Sequence, residues 1–300
     1  MARFSPVLIL LLVTAALLPG PLAGQDRALL EPGDTLLEVR LDDGSTVYGR
    51  VVSVVGDRVT LETPSGATVT LDRARVVSVG VARGAVRDGR VWRDDRVPDR
   101  LFATPTGRTL PGGTGHAGFQ ELLFPYVAYG IVDRLQVTAG TTLLPEIVGQ
   151  LWYVAPKVGI VDTPAAQFSA GVIAFFAFDD ELDADGGFGA AHASLTLGPP
   201  GRAVTLAAGI PFLRRGGTDD LEFADEPLIL VGGEMRLSPT VLLVTDNAFV
   251  AGEAGALLAG GIRLIGERLS ADLGASMLVD EGDPTCCVPV VNVQWAFGGD

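Results

Sequence analysis

Two residues with the chemistry of a hydrolytic site lie close together in the sequence. His192 and Ser194 are two positions apart in the stretch AAHASLT. Residues at i and i+2 project from the same face of a β-strand, and a His beside a Ser can generate an activated nucleophile. The sequence identifies no third residue that would orient the His. The alternative is a His that hydrogen-bonds within a structural network.

The His-x-Ser spacing resembles that of outer-membrane lipid A deacylases, and outer-membrane phospholipases also use His and Ser. This resemblance implies a lipid or lipopolysaccharide hydrolase in which His192 and Ser194 react. His-x-Ser is a common chance occurrence, so we keep hydrolysis as the alternative and expect a protein that is not an enzyme.

Carboxylates cluster in two stretches, DDELDAD (179–185) and DDLEFADE (219–226). Crowded carboxylates bind Ca²⁺ or bridge phosphates through divalent ions. The weak candidate ligands are Asp179, Asp180, Glu181, Asp183 and Asp185. Their spacing does not match an EF-hand loop, and such runs are more often simply solvated. We therefore expect no metal and no cofactor.

The chain combines an apolar mean hydropathy of +0.37 with a formal net charge of −14. Apolar and charged residues must therefore be segregated, and the negative balance argues against nucleic-acid binding. Residues 1–24, with Arg3 before the apolar run VLILLLVTAALL, are typical of a signal peptide. No later stretch approaches the roughly 18 apolar residues of a spanning helix.

The only cysteines, Cys286 and Cys287, are adjacent. They either form a vicinal disulfide or stay reduced, and without a nearby His they do not indicate a zinc site.

Residues 34–82 contain short β-branched runs separated by turn signals such as DDGS and TPSG. About five strands in so short a stretch predict a small closed or nearly closed β-barrel. The section VRLDDGSTVYGRVVSV resembles the first motif of Sm-type barrels, in which a strongly bent strand follows an Asp-Gly turn. We expect a small Sm/SH3-like β domain, serving as a periplasmic adaptor or spacer. Residues 83–100, dense in charge, are predicted to be a linker.

From residue 101 onwards, apolar residues alternate with small or polar ones. In LSADLGASML (269–278), Leu, Ala and Met occupy one parity, and Ser, Asp and Gly the other. The eleven uncharged residues FSAGVIAFFAF (168–178) divide in the same way. This period of two predicts β-strands with one apolar face.

The connections between these segments alternate between short turns and mostly longer polar loops. Short turns such as GER (266–268) alternate with loops such as RRGGTDDLEFADE (214–226). This arrangement is typical of an outer-membrane barrel. We predict an all-β fold: a transmembrane antiparallel up-and-down barrel of about twelve strands over 101–300, both ends periplasmic. The predicted strands include 101–109 and 116–130.

Residues 100–144, with PTG after the first predicted strand and an aromatic-rich second one, resemble the opening of an uncharacterised group of bacterial outer-membrane barrel proteins. The resemblance extends through YVAPKVG (153–159) and brings no known catalytic activity. The last segment, VPVVNVQWAF, is similar to the signal read by the barrel-assembly machinery, although Gly298, Gly299 and Asp300 follow its aromatic end.

The strand parity predicts which polar side chains face the lumen. Both signs of charge occur among them. This favours an ion-pair network that fills the lumen rather than a narrow polar pore. A lipid-facing Arg or Lys would cost about 2–4 kcal/mol at the bilayer midplane. The predicted lumen residues are Arg134, Gln136, Lys157, His192, Glu234, Arg236, Arg263, Asp272, Asn292 and Gln294.

The expected function is therefore that of a non-enzymatic integral outer-membrane protein with a structural or narrow-channel role. Its expected partners are outer-membrane lipid and lipopolysaccharide, the barrel-assembly machinery and a periplasmic protein bound by residues 34–82. The alternatives are the lipid hydrolase described above and a soluble secreted β-sandwich whose apolar faces form a core.

Overall fold

A computed structural model describes residues 30–143, 151–177, 187–214, 220–252, 255–280 and 283–299. The chain forms two compact units, Met1–Arg93 and Asp94–Asp300. The predicted signal peptide, residues 1–24, lies outside the described residues. Among those residues, no helix is long and apolar enough to cross a membrane.

The first unit is built on one antiparallel five-stranded sheet. Its strands are β1 (Leu37–Leu41), β2 (Thr46–Val55), β3 (Arg58–Glu62), β4 (Thr68–Asp72) and β5 (Val76–Val81), in the spatial order β4-β3-β2-β1-β5. A 3-10 turn, Arg73–Arg75, connects β4 to β5. A separate hairpin follows, formed by β6 (Ala85–Arg87) and β7 (Arg90–Trp92).

β2 pairs with both β1 and β3. Its first residues pair with β1, its last residues pair with β3, and a register shift separates Val51 from Ser53. The turn before β2 contains Gly44 with a φ of 81°, a left-handed conformation that glycine adopts without steric cost. Alternate residues along β1 and β3, including Val39, Val59 and Leu61, are fully buried and form the core of this unit.

The second unit is a closed antiparallel barrel. Neighbouring strands follow the chain order, and closure comes from pairing of the first and last strands, β8 and β20. The twelve barrel strands are β8 (Thr114–Gln120), β9 (Phe124–Val132), β10 (Leu135–Thr141), β11 (Leu151–Asp162), β12 (Ala166–Ala177), β13 (Gly187–Leu197), β14 (Arg202–Arg214), β16 (Leu228–Ser238), β17 (Val241–Val250), β18 (Ala256–Ile265), β19 (Leu269–Asp280) and β20 (Asp283–Gly298). A short strand, β15 (Leu221–Phe223), pairs with the end of β14. The predicted fold class and the number of barrel strands are therefore confirmed.

Two of the predicted strands differ from those observed. The segment 116–130 is interrupted by a turn at 121–123, where Glu121 and Leu122 have positive φ values of 51° and 57°, so it forms two strands, β8 and β9. Residues 101–109 form no strand. They lie inside the barrel, where they bond to wall side chains rather than to a neighbouring strand. The predicted total agrees only because these two differences cancel.

The outward face of the wall is apolar. Register pairs place residues such as Val204, Leu206 and Ile210 of β14 on this face, where they are 45–52% exposed. Within the described strands, the charged residues on this face are Arg202 and Arg214, which begin and end β14. Charge is therefore confined to the inward face and the strand ends, as a hydrocarbon surrounding requires.

Candidate functional site: a lumen closed by residues 95–110

Residues 95–110, called the plug below, run through the interior of the barrel. The segment enters and leaves at the short-turn end, since Arg96 donates to the Gly298 carbonyl oxygen at 2.8 Å and Thr109 donates to the Asp133 carbonyl oxygen at 2.8 Å. Phe102 lies between these ends of the plug and is 3% exposed. The plug is irregular backbone, so its polar groups need partners on the wall.

Arg263 of β18 supplies several of these partners. Its guanidinium donates to the carbonyl oxygens of Val97 (2.8 Å), Arg100 (3.3 Å) and Leu101 (2.5 Å). The same guanidinium pairs with Asp272 of β19, with 2.6 Å between Nε and Oδ1, and with Asp95 of the plug, with 2.9 Å between Nη1 and Oδ2. Arg263 is 1% exposed. One buried cation therefore joins two wall strands to the entry of the plug.

Asp272 is itself fully hydrogen-bonded. Besides Arg263, its Oδ2 accepts from Asn292 Nδ2 and from Gln294 Nε2, both at 3.1 Å. Asn292 also donates to the Phe102 carbonyl oxygen at 3.3 Å. A buried carboxylate is tolerated when its oxygens are bonded in this way.

Asp246 of β17 caps the tip of the plug. Its Oδ2 accepts from the backbone N–H groups of Ala103 (2.8 Å) and Thr104 (3.0 Å), and its Oδ1 accepts from the Thr104 hydroxyl at 2.5 Å. Three donors of one tight turn therefore depend on a single wall carboxylate.

Lys157 of β11 holds the plug from the opposite side. Its ammonium donates to the carbonyl oxygens of Asp99 (2.9 Å), Thr106 (3.4 Å) and Arg108 (2.6 Å). The Asp99 carboxylate bonds His116 Nε2 at 2.9 Å and accepts from Gln136 Nε2 at 2.6 Å. This set of contacts fixes both limbs of the plug.

The exit limb of the plug is held by an ion pair. Arg108 Nη1 donates to Glu234 Oε1 at 2.7 Å, and both side chains are at least 92% buried. Glu234 Oε1 also accepts from the backbone N–H of Gly201 at 2.8 Å. The pair thus links the plug to β16 and to the short turn after β13.

Close backbone approach occurs at Gly107. A Cβ added there would collide with the Gln167 carbonyl oxygen of β12, while the Gly107 N–H donates to Thr196 Oγ1 at 2.9 Å. Only glycine fits this point, because its absent Cβ lets the plug lie directly on the wall.

The structure brings nine of the predicted lumen residues onto the inward face with buried or half-buried side chains. Seven of them belong to or border the contacts above, and His192 lies apart, half-buried. Those on the inward face are Gln136, Lys157, His192, Glu234, Arg236, Arg263, Asp272, Asn292 and Gln294. Arg236 is half-buried at the short-turn end of β16. Arg134 is exposed, because it lies in the turn before β10 begins at Leu135.

The structure gives no hydrogen bond between His192 and Ser194. Ser194 is 0% exposed, and its Oγ and the His192 Nδ1 are buried without a hydrogen-bond partner among the described atoms. The adjacent position across the strands, Gly171, lies against the His192 ring, and a Cβ there would be 2.9 Å from Nε2. Among the described residues, no base is hydrogen-bonded to the Ser194 hydroxyl, which is fully buried.

The candidate metal ligands Asp179, Asp180, Glu181, Asp183 and Asp185 lie outside the described residues. Elsewhere, the part of the chain that the structure describes contains no cluster of three His, Cys, Asp or Glu residues able to hold a metal ion. Cys287 is disulfide-bonded.

Sequence reasoning missed the plug residues and several of their wall partners, among them Asp246, His116 and Thr196. The predicted linker 83–100 ends in Asp94–Arg100, a segment that belongs to the barrel unit and contains the buried residues Val97, Asp99 and Arg100. Asp246 interrupts an apolar strand, and His116 of β8 is 0% exposed. An isolated charge within an apolar strand was the available signal.

No family model matches the chain, and no curated protein matches it. Solved structures similar to it include OmpT, an outer membrane protein of Vibrio cholerae, with 9% identity and a TM-score of 0.36. They also include OmpF of Salmonella typhi, in a complex with daunomycin, with 10% identity and a TM-score of 0.32. Each likeness covers 88% of this chain and 95% of the other.

Proposed function

We propose that this protein is a non-enzymatic integral outer-membrane barrel whose lumen is closed by its own residues 95–110. Within this proposal, residues 34–82 form a small periplasmic Sm/SH3-like domain that binds a protein partner. The barrel then serves as a closed anchor for that domain rather than as an open pore.

The membrane part of the proposal is supported by the outward face of the wall. Large apolar residues such as Val204, Ile210 and Leu273 are about half exposed on it, and a closed barrel leaves no unpaired strand edge. Aromatic residues lie near both ends of this face, with Trp152 and Phe249 toward the long-loop end and Trp295 toward the short-turn end. Such belts are typical of the two membrane interfaces.

The placement of the small domain is supported by the parity of the strands. An even number of strands puts Thr114 and Gly298 at the same end as the short turns, and short turns are periplasmic in outer-membrane barrels. In this proposal the chain therefore enters the barrel from the periplasmic side.

The observation that carries the closed lumen is the plug network around Arg263 and Lys157. Those charges would line a polar pore, but they are bonded to the plug and are 1% and 4% exposed. A side chain that already bonds three plug carbonyl groups is not free to line an open pore. The geometry thus favours a closed structural barrel over the narrow channel.

Extraction tests the membrane assignment. We expect the mature protein to stay in the membrane fraction after washing with sodium carbonate and to need detergent for release. A protein that is monodisperse in buffer without any amphiphile would be the soluble β-sandwich instead.

Planar-bilayer conductance tests the closed lumen. The wild-type protein should give no steady conductance, and Gly107→Val should open the lumen because its side chain collides with the Gln167 carbonyl oxygen. This substitution leaves the sequence of the wall unchanged. Gly260→Val is the matched control, since it lies on the outward face with nothing within 4 Å of its Cβ position, and it should stay silent. A wild-type barrel that conducts steadily would overturn the proposal.

A further inference from the structure

The long-loop half of the lumen differs in chemistry from the half that holds the plug. Alternation along each strand puts Phe188 on the same face as His192, Leu257 on the same face as Arg263, and Leu278 on the same face as Asp272. The register pairs Phe175 with Phe188 and Leu257 with Leu278. Moving away from the plug, the inward positions change from polar and charged residues to large apolar ones.

The apolar lining extends around most of the wall. It covers the long-loop ends of β12, β13, β14, β16, β17 and β18 and continues on β19 and β20, whereas the inward residue of the short strand β15 is Glu222. Its larger members are Ile173, Phe175, Phe188, Leu213, Leu230, Val250, Leu257, Leu278 and Val288. We call this part of the interior the upper lumen.

Side-chain exposure indicates that the described residues do not fill the upper lumen. Phe188, Leu257 and Leu278 are 46%, 43% and 51% exposed, although they face the interior. On the same inward face at the level of the plug, Leu242 and Val244 are each 1% exposed. An inward apolar surface left open to water is unfavourable unless something apolar covers it.

The shape of the lining suits a flat or extended apolar molecule. The rings of Phe175 and Phe188 are stacked, with 4.8 Å between centroids and 8° between planes, and the Tyr153 ring lies 5.4 Å from Phe175. Three aromatic side chains on adjacent strands thus form one continuous wall. Ligand pockets are lined mainly by such apolar and aromatic groups.

The charges on the described strands of the upper lumen disfavour an anionic ligand group. On the long-loop side of Lys157, Asp246 and Arg263, the first charged residues on the inward face of the described strands are Glu222 and Asp280, at the ends of β15 and β19. Neither is a cation, so a carboxylate or phosphate on the ligand would find no counter-charge on the described strands of the upper lumen.

We propose that the upper lumen binds a long-chain aliphatic molecule with an uncharged head. The aliphatic chain packs against Phe188 and the leucines of β16 to β19, and the plug forms the floor of the site. The uncharged head stays at the long-loop end, beside the carboxylates. The same apolar surface would take an acyl tail from a membrane lipid, and the experiment below separates the two sources.

Photolabelling in lipid nanodiscs tests this site with the full-length mature protein. The probe is a long-chain fatty alcohol that carries a diazirine, and the second arm uses phosphatidylethanolamine with a diazirine on its acyl chain. Labelled residues are mapped by mass spectrometry. Phe175 and Phe188 report the interior, and Phe176, which follows Phe175 and faces outward, reports the bilayer.

The expected result is labelling of Phe175 and Phe188 by the alcohol that saturates and is competed by unlabelled alcohol. Labelling of the same inward residues by the phospholipid probe alone would identify a membrane acyl tail as the occupant and would overturn the uncharged head, because this lipid carries a phosphate. Labelling confined to outward residues such as Phe176, or inward labelling that never saturates, would overturn the proposal.

Two variants on one strand provide the matched comparison. Ala190 faces inward between Ile173 and Pro211, and Ala191 faces outward between Val172 and Ile210. Ala190→Trp should fill the site and lower the apparent affinity by about tenfold, whereas Ala191→Trp should leave it unchanged. Equal affinities in the two folded variants would contradict the proposal. If Ala190→Trp fails to fold, saturation and competition with the wild-type protein still decide.

Discussion

Arg263 and Asp272 face each other across the neighbouring strands β18 and β19, and their side chains join with 2.6 Å between Nε and Oδ1. The pair is almost fully buried, at 1% and 0% exposure. The pair also attaches the plug to the wall, because the same guanidinium bonds Asp95 and plug carbonyl groups.

Removing one partner of this pair should destabilise the barrel strongly. Asp272→Leu leaves the Arg263 cation buried with fewer partners, which we expect to cost about 3–5 kcal/mol. The double variant Arg263→Met/Asp272→Leu removes both charges and should be less destabilised than the sum of the two single variants. Urea unfolding of the barrel in lipid vesicles, followed by tryptophan fluorescence, gives these values. Simple additivity would mean that the pair is not coupled.

The Asp246 cap should control protection of the plug against protease. Asp246→Ala leaves the N–H groups of Ala103 and Thr104 without their acceptor, at a cost of about 1–3 kcal/mol. Trypsin should then cut at Arg100, which is 8% exposed in the wild-type protein. Asn247→Ala on the same strand is the control, since Asn247 bonds the wall rather than the plug. Equal cleavage in the two variants would argue against the cap.

Acid titration of the small domain should reveal a low pKa at Asp43. The Ser45 hydroxyl and backbone N–H, followed by Arg75, hold the pKa of Asp43 at about 2, below its ordinary value of 3.8. Because the folded value is the lower one, this carboxylate stabilises the fold above about pH 4, and the contribution disappears as the pH falls toward 2. Carboxyl chemical shifts from NMR measure the value. Ser45→Ala should raise it, and an unchanged value would show that the hydroxyl is not the main cause.

Substitution of Ser194 should have no catalytic consequence. Ser194 is fully buried and the structure gives it no bond to His192, so the wild-type protein should release no fatty acid from phospholipid or lipopolysaccharide. Mass spectrometry of the lipids after incubation checks this. Fatty-acid release that disappears in Ser194→Ala and in His192→Ala would establish the hydrolase instead.

The barrel strands could be predicted because a side chain that faces hydrocarbon must be apolar. This requirement applies to every second residue of a strand. Arg263 and Asp272 stand out as charges within alternating apolar segments, and the period of two alone assigns them to the inward face. The upper lumen was harder to predict. In VLLVTDNAFV both parities are apolar, so the sequence does not separate a lipid-facing residue from an apolar inward residue such as Val250.

The plug could not be predicted by the same reasoning. Its contacts join residues far apart in the chain, as in the bond between Asp95 and Arg263, which are separated by 168 positions. Its sequence has no regular alternation of apolar and polar residues. Its aspartates and arginines are typical of a solvated linker. Only the wall supplies the partners that make the burial of these charges favourable.

A disulfide between the tip of the plug and the wall tests the central claim most directly. In a background with serine at 286 and 287, Thr104→Cys/Asp246→Cys places two thiols where the native side chains meet, 2.5 Å apart. Thr104→Cys/Asn247→Cys is the control, because Asn247 faces outward. We predict that the first pair oxidises fully, as measured by intact mass and thiol labelling, and that the second stays reduced. Oxidation of the control pair, or of neither pair, would contradict a plug held inside the barrel.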